Sequence, residues 1–281
     1  MLKQRVMTAL VLLLILLPAL FYSSPMPFCA VALVFIAAGA WEWARLNGSS
    51  QSVSILSGLI CVLVCLSTWW LGMLEQSLTP LWAVAGAAWV FAGAWVLYRG
   101  VSAWAGHSRT VRLLAGLLAL WVAWLAVAQA RVIGINFLLS ILALVWVADI
   151  FAYFAGRAFG GRFSRGKLAP SISPGKSWEG VWGGMMGVCL LAFVWQWVDR
   201  SRAVNAPSLF GHIGMQSGWF LFGGALLLTG MSVVGDLFES LVKRSAGVKD
   251  SSGLLPGHGG VLDRIDALLP TLPLAMLLYS L

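Results

Sequence analysis

Residues Ser217–Asp266 read SGWFLFGGALLLTGMSVVGDLFESLVKRSAGVKDSSGLLPGHGGVLDRID, and the two halves of this stretch set the character of the chain. The first half, to Ser240, is an apolar run long enough to cross a bilayer, interrupted near its end by Asp236 and Glu239. The second half packs Lys243, Arg244, Lys249, Asp250, His258, Asp263, Arg264 and Asp266 into the short space before the next apolar run. Charge set between apolar runs is costly unless the segment binds something charged. The pattern is a membrane-spanning helix that delivers a polar segment to one face.

The rest of the chain repeats that pattern. It has 281 residues, 60% hydrophobic and 10% charged, with a mean hydropathy of +0.90. Such a composition excludes an ordinary soluble domain. Nine apolar runs of spanning length fall near residues 6–22, 26–46, 53–74, 79–98, 111–130, 133–155, 178–198, 217–240 and 265–281. The expectation is an all-α polytopic integral membrane protein of about nine transmembrane helices. Residues 1–130 then hold five helices, an N-terminal scaffold, and residues 131–281 hold four helices with most of the polar loops.

The basic residues orient it. With a cytoplasmic N-terminus, the inner loops and flanks collect Lys3, Arg5, Arg45, Arg99, Arg109, Arg112, Arg157, Arg162, Arg165, Lys167, Lys176, Lys243, Arg244, Lys249 and Arg264. Arg131, Arg200 and Arg202 remain outside, with the C-terminus, as the positive-inside rule requires. The net charge of +8 then lies mostly on one face, suited to anionic lipid headgroups or an anionic soluble substrate. Basic residues confined to short membrane-edge loops argue against nucleic acid as a partner. The opening MLKQRVMTALVLLLILLPALFY has the basic and apolar regions of a signal peptide but no small-residue cleavage site, so it reads as a retained first helix. Pro25 and Pro27 mark the turn after it. Cys29, Cys61, Cys65 and Cys189 lie in apolar runs and read as inert buried thiols. The sixteen tryptophans read mostly as interface anchors or lipid-facing bulk.

Three segments carry candidate chemistry. Asp149, in SILALVWVADIFAYF, sits a turn or two before the inner end of its helix. Asp236, Glu239, Ser240 and Lys243 share one helical face by their spacing. Intramembrane carboxylates are rare and usually functional, although Glu239 and Lys243 also read as a simple i,i+4 pair. Carboxylates toward the inner ends suit an enzyme with a cytoplasmic substrate better than a transporter with a midplane site. The loop from Gly156 to Gly180 holds five basic residues before Ser177, and its glycines leave backbone N–H groups free for oxyanions. Gly175-Lys176-Ser177 resembles the end of a P-loop. Pro170 stands where that motif needs its first glycine, and no strand is expected before it, so the motif fails. An ordinary basic loop accounts for Arg157, Arg162 and Arg165, but not for the pattern formed by Lys167, Pro170, Ser173, Pro174, Lys176 and Glu179.

In the last polar segment, Pro256–Gly260 reads as a tight turn. His258 has no second His or Cys at ligand spacing, which argues against zinc. Asp236, Asp250, Asp263 and Asp266 suit a hard cation such as magnesium, which takes carboxylates together with substrate phosphates. Asp263 and Asp266 also read as N-terminal acids of the last helix. Arg264 between them points to a phosphate or carboxylate partner. The residues together describe a membrane-embedded site for phosphoryl or nucleotidyl transfer to a lipid.

Ser240-x-x-Lys243-Arg244, Lys249-Asp250-x-Ser252 and Leu255-Pro256-Gly257-His258-Gly259-Gly260-x-x-Asp263-Arg264-x-Asp266 resemble the signature of the CDP-diacylglycerol synthases, or phosphatidate cytidylyltransferases. Ser173-Pro174-x-Lys176-Ser177-x-Glu179-Gly180 and Asp149-x-x-Ala152-Tyr153-x-x-Gly156-Arg157 are similar to that family too. These motifs cover 149–266; before residue 131 the resemblance rests on length, helix number and Trp41-Glu42-Trp43. It implies cytidylyl transfer from CTP to phosphatidate, giving CDP-diacylglycerol and pyrophosphate, at the cytoplasmic face of a bacterial inner membrane. It further implies a nine-helix homodimer, Mg2+ held by Asp236 and Asp263, and K+ as a second ion. Phosphates would be clamped by Lys167, Lys176, Lys243, Arg244 and Arg264, with Asp149, Glu179 and Asp250 orienting those cations or water. Ser173 and Ser240 join the substrate-binding set, and Lys249, His258 and Asp266 the catalytic set.

Other readings stay open at the level of sequence. A CTP-dependent lipid kinase of the dolichol-kinase kind would release CDP, but the run from Lys249 to Asp266 argues against it. A CDP-alcohol phosphotransferase would need a D-G-x-x-A-R element, which is absent. A transporter would be supported by inverted repeats and midplane charges, and the sequence shows neither.

Overall fold

A computed structural model describes all residues except 1, 165, 203 and 205. Arg165, one of the basic loop residues, therefore lies outside the described residues. The fold is helical, as the apolar runs require. Its elements are α1 (Leu2–Phe21), α2 (Met26–Leu46), α3 (Gln51–Trp70), α4 (Thr79–Ala87), a π-helical turn (Ala88–Gly93), α5 (Ala94–Arg99), α6 (Val101–Gly106), α7 (Arg109–Ile133) and α8 (Ile135–Phe159). After α8 come β1 (Lys167–Ala169), β2 (Ser173–Ser177), α9 (Trp178–Arg202), α10 (Leu209–Gln216), α11 (Gly218–Ser245), α12 (Leu262–Ile265) and α13 (Leu268–Ser280).

Among the described residues, eight helices are long and apolar enough to cross a membrane, α4 and α5 counting as one continuous span, Thr79–Arg99. The last apolar run folds differently from the others. It is divided into α12 and the 13-residue α13, about 20 Å long at 1.5 Å per residue, and Leu269–Ala275 of α13 is buried throughout. The core is built around α13, α7, α11 and α8, whereas α1 and much of α3 present apolar side chains outward.

The structure corrects several expectations. Two short antiparallel strands pair Lys167 with Ser177 and Ala169 with Ser173, so a strand does precede the Gly175-Lys176-Ser177 segment. Pro170 still breaks the P-loop pattern. Trp43, Trp82, Trp89, Trp104 and Trp124 are buried core residues, exceptions to the reading given to most of the sixteen. Phe238 gathers three of them: Trp43 stacks on it at 6.1 Å, and Trp89 and Trp104 meet it edge-on at 5.4 and 5.3 Å. Cys29, Cys61 and Cys65 are buried free thiols, as expected, while Cys189 is half-buried.

Helix α8 continues to Phe159, so Asp149 lies ten residues from its end, not one or two turns. At 1.5 Å per residue that is about 15 Å. Asp236 stands nine residues from the end of α11, a closely matched depth.

Candidate active site

Small residues bring α8 and α9 together. A Cβ on Gly180 or Gly184 would come within 3.0 Å of the Ala152 and Ala148 carbonyl oxygens. At Gly183 it would fall 2.2 Å from the Ala155 Cβ, and at Gly187 2.4 Å from the Phe151 ring. Glycines spaced four apart let helix backbones approach where lipid offers no hydrophobic drive for association. This contact forms one wall of a cavity of about 500 Å3, with α11 and the hairpin closing the others.

The cavity has two characters. Ala148, Ala152, Val181, Val233 and Leu168 line it with apolar surface, while Asp149, Arg157, Lys176 and Asp236 are the charged groups of its lining. Lys176 is carried in by β2 and forms an ion pair with Asp236 of α11. The Ser240 hydroxyl donates to Asp236 Oδ1 at 3.4 Å from one turn further along. Arg157 lies over the same mouth and donates to the Tyr153 hydroxyl at 3.1 Å. Arg244 fixes the hairpin to the end of α11 by donating to the Ile172 carbonyl at 3.4 Å.

A second polar group begins one helical turn from Asp236. Lys243 Nζ lies 2.5 Å from Glu239 Oε2 and 2.6 Å from Asp263 Oδ1. Glu239 Oε1 is buried without a hydrogen-bond partner among the described residues. Asp263 Oδ2 accepts from the Gly260 N–H at 2.7 Å, the Ser251 N–H at 3.0 Å and the Ser251 hydroxyl at 3.0 Å. Burial would lift the Asp263 carboxyl, but the Lys243 ammonium and the Gly260 N–H outweigh it and hold it at about 2. The two groups meet at Gly235, where a Cβ would fall 2.4 Å from the Asp266 carbonyl oxygen. Asp266 itself accepts from the Ala267 N–H at 2.8 Å, just before α13.

The turn expected at Pro256–Gly260 is present, with Gly257 and Gly259 at φ of 76° and 83°. Arg264 Nε donates to the His258 carbonyl at 3.0 Å and so braces that turn. His258 Nδ1 is buried without a partner among the described residues, and no cluster of His, Cys and carboxylates surrounds it there. The Thr8 hydroxyl of α1 donates to the Pro256 carbonyl at 2.8 Å, so the first helix reaches the same turn.

The structure therefore brings Asp149, Lys176 and Asp236 to the cavity, with Ser240 bonded to Asp236 behind it, and Lys243 and Asp263 to the adjoining group. Lys167, Arg244, Lys249, Asp250 and Arg264 are exposed around them. Ser173 sits at the start of β2. Glu179 is engaged with the loop before the hairpin: its Oε1 accepts from the Phe163 N–H at 3.1 Å and from the Ser164 N–H and hydroxyl at 2.8 Å each.

Sequence reasoning missed Glu42. This carboxylate on α2 is fully buried. It accepts from the Val261 N–H at 2.9 Å, the Leu262 N–H at 2.7 Å, the Ser251 hydroxyl at 3.1 Å and the Ser252 hydroxyl. The signal was an acid inside an apolar run, the criterion that singled out Asp149 and Asp236.

A sequence model of the cytidylyltransferase family matches residues 3–281. The chain belongs to the cytidylyltransferase family. It is 40% identical over 285 residues to a phosphatidate cytidylyltransferase of Pseudomonas aeruginosa, covering 100% of this chain and 98% of that protein. A Haemophilus influenzae phosphatidate cytidylyltransferase is 37% identical over 300 residues, with 99% of each chain covered. A phosphatidate cytidylyltransferase of Thermotoga maritima is 41% identical over 143 residues, about half of each chain (50% and 48%). Along α11, Asp236, which pairs with the hairpin lysine in the cavity, and Lys243, which pairs with Asp263, stand about two helical turns apart.

Proposed function

We propose that this protein transfers the cytidylyl group of CTP to phosphatidate, releasing pyrophosphate and CDP-diacylglycerol for phospholipid synthesis. The observation that carries this reading is the two-sided cavity: apolar surface between α8, α9 and α11, with Lys176, Arg157, Asp149 and Asp236 on its polar side. A diacyl lipid with a phosphate head has the same two characters.

The chemistry needs no protein nucleophile. A phosphate monoester loses its second proton near pH ~6, so phosphatidate supplies its own attacking oxygen at neutral pH. That oxygen bonds to the α-phosphorus of CTP as the bond to the bridging oxygen breaks, and the electron pair leaves with pyrophosphate. The protein holds both anions in line and neutralises them. Lys176 and Lys243 are already fixed in the site by Asp236 and Asp263, and they exchange those partners for phosphate oxygens as substrates enter. Arg244, Arg264, Lys167 and Lys249 are exposed around the rim and take outlying phosphates. Asp149 and Asp250 orient these cations, and Glu179 sets the loop before the hairpin.

The donor set fits a hard cation. Asp236, Glu239 and Asp263 pair with two lysines, Asp149 lines the same cavity as Asp236, and Glu239 Oε1 has no partner among the described residues. No three of these acids are gathered into a closed cage among the described residues. Magnesium typically accepts such a site, using one or two carboxylates and completing its shell with phosphate oxygens and water. Asp236 and Asp263 would hold Mg2+, which lowers the charge on the CTP phosphates; K+ would be the second ion.

The same reading places the N-terminus and the polar loops at the cytoplasmic face of a bacterial inner membrane, with α13 as a ninth, short crossing and the C-terminus outside. Residues 1–130 act as scaffold, residues 131–281 carry the chemistry, and two chains form a homodimer. Purified protein with phosphatidate, Mg2+ and CTP labelled at the α-phosphate tests the function. Label entering the lipid with pyrophosphate release, abolished by EDTA, is the expected result. CDP release with a phosphorylated lipid alcohol would replace it with the kinase reading.

A further inference from the structure

Glu42 does not line the cavity, yet it spends both carboxylate oxygens on one segment. Oε1 accepts from the Val261 N–H and the Ser252 hydroxyl, and Oε2 from the Leu262 N–H and the Ser251 hydroxyl. These donors come from the two ends of the segment from Ser251 to Leu262, so a single carboxylate ties its start to its finish. Gly260 seals the junction: a Cβ there would fall 1.9 Å from Ser251 Oγ and 2.5 Å from Glu42 Oε1.

Ser251 carries the connection onward. Its N–H donates to Asp263 Oδ2 at 3.0 Å, and its hydroxyl lies 3.0 Å from the same oxygen. A hydroxyl has one proton, so it serves Glu42 or Asp263 at any moment, while the backbone N–H holds Asp263 throughout. With Gly260 as the remaining donor, Oδ2 is fully engaged and Oδ1 is left facing Lys243. A buried carboxylate is a costly way to satisfy two N–H groups that a neutral side chain could serve. Its placement makes sense if the direction of Asp263 matters.

We infer that Glu42 is a positioning residue for cytidylyl transfer: acting through Ser251, it fixes the orientation in which Asp263 presents Oδ1 to the phosphates and their cation. The inference rests on the activity proposed above and extends it to a helix of the N-terminal scaffold.

The test compares Glu42→Gln and Ser251→Ala with the full-length wild type in detergent. Hydrogen exchange is followed in peptides covering 251–263, and initial rates are followed against Mg2+. Glu42→Gln sets an amide NH2 against backbone donors. Exchange in 251–263 should rise while the other helices keep theirs. kcat should fall at least about ten-fold and the Mg2+ needed for half-maximal rate should rise about three-fold, as expected for a misaimed ligand. Ser251→Ala keeps the Glu42 bonds to Val261 and Leu262, and its Mg2+ requirement should rise without loss of thermal stability. Faster exchange with wild-type kinetics would make Glu42 a purely structural tie and overturn the inference. Unchanged exchange would remove the tie itself. Should Glu42→Gln not fold, a wild-type Mg2+ requirement in Ser251→Ala overturns it. A wild-type protein without cytidylyl transfer would defeat the activity instead, with exchange at 251–263 still reporting on the tie.

Discussion

Lys243 stands between two carboxylates, 2.5 Å from Glu239 Oε2 and 2.6 Å from Asp263 Oδ1, and so joins α11 to α12. All three side chains are largely buried, at 13%, 3% and 7% exposure. Removing one partner from such a group leaves an uncompensated buried charge, which costs about 3–5 kcal/mol. Lys243→Met should therefore lower both the melting temperature and the activity. Mg2+ should restore melting temperature to this variant more than to the wild type, because it supplies the lost positive charge. A thermal shift titrated with Mg2+ checks this, and equal shifts in the two proteins would contradict it.

Asp263 gives a pH dependence with a defined sign. Its folded-state value is held at about 2, below the ordinary 3.8. The carboxylate thus contributes stability that is fully present above pH ~4 and disappears as the pH falls toward 2. Asp263→Asn should be less stable than the wild type at pH 6, with the gap narrowing as pH drops below about 4. Activity at neutral pH should fall by about a hundred-fold, in line with losing an electrostatic ligand of the transition state. Melting curves across that range and rates at neutral pH are the measurements.

Lys176 and Asp236 behave differently from the Lys243 group, because both remain open to the cavity at 26% and 32% exposure. An exposed pair contributes only about 0–1 kcal/mol. Lys176→Met should melt within a few degrees of the wild type yet lose about a hundred-fold in rate if, as proposed, its ammonium takes a phosphate. A large loss of stability with normal turnover would reverse the assignment.

Glu179 fixes the loop ahead of the hairpin through three bonds to Phe163 and Ser164. Glu179→Ala frees that loop and, through it, the strand that carries Lys176. The expected outcome is a higher KM for CTP with a smaller change in kcat, read from steady-state kinetics. Proteolysis near Phe163 should quicken at the same time.

Much of this site follows from simple periodicity. The 3.6-residue repeat places Asp236, Ser240 and Lys243 on one face, and the structure joins Ser240 to Asp236 and Lys243 to Glu239. The hairpin was illegible because Lys167–Ser177 is rich in Gly, Pro and Ser and lacks the alternation that marks a strand. The depth of Asp149 was misjudged because Gly156 and Arg157 read as loop, although α8 carries them to Phe159. Glu42 is legible as an acid inside an apolar run, but its partners lie more than 200 residues away and no local pattern announces them. The buried tryptophans are similar, since only tertiary packing around Phe238 separates them from interface residues.

Gly235 offers the sharpest packing test. A Cβ there would lie 2.4 Å from the Asp266 carbonyl oxygen and 2.9 Å from the Pro270 ring, neither of which is a flexible side-chain end. Gly235→Ala must push α11 away from the turn into α13 and carry Asp236 with it, at a cost of about 1–3 kcal/mol for overpacking. Gly230, five residues earlier on the same helix, meets nothing nearer than the Met185 Cε at 3.9 Å. Alanine at 230 should be neutral or slightly stabilising, because it favours the helix over glycine by about 1 kcal/mol. Rates and melting temperatures of the two variants should therefore diverge, with Gly235→Ala losing both and Gly230→Ala keeping both. Equal behaviour would mean that α11 and the Asp266 turn are not in the contact on which the adjoining of the two polar groups depends.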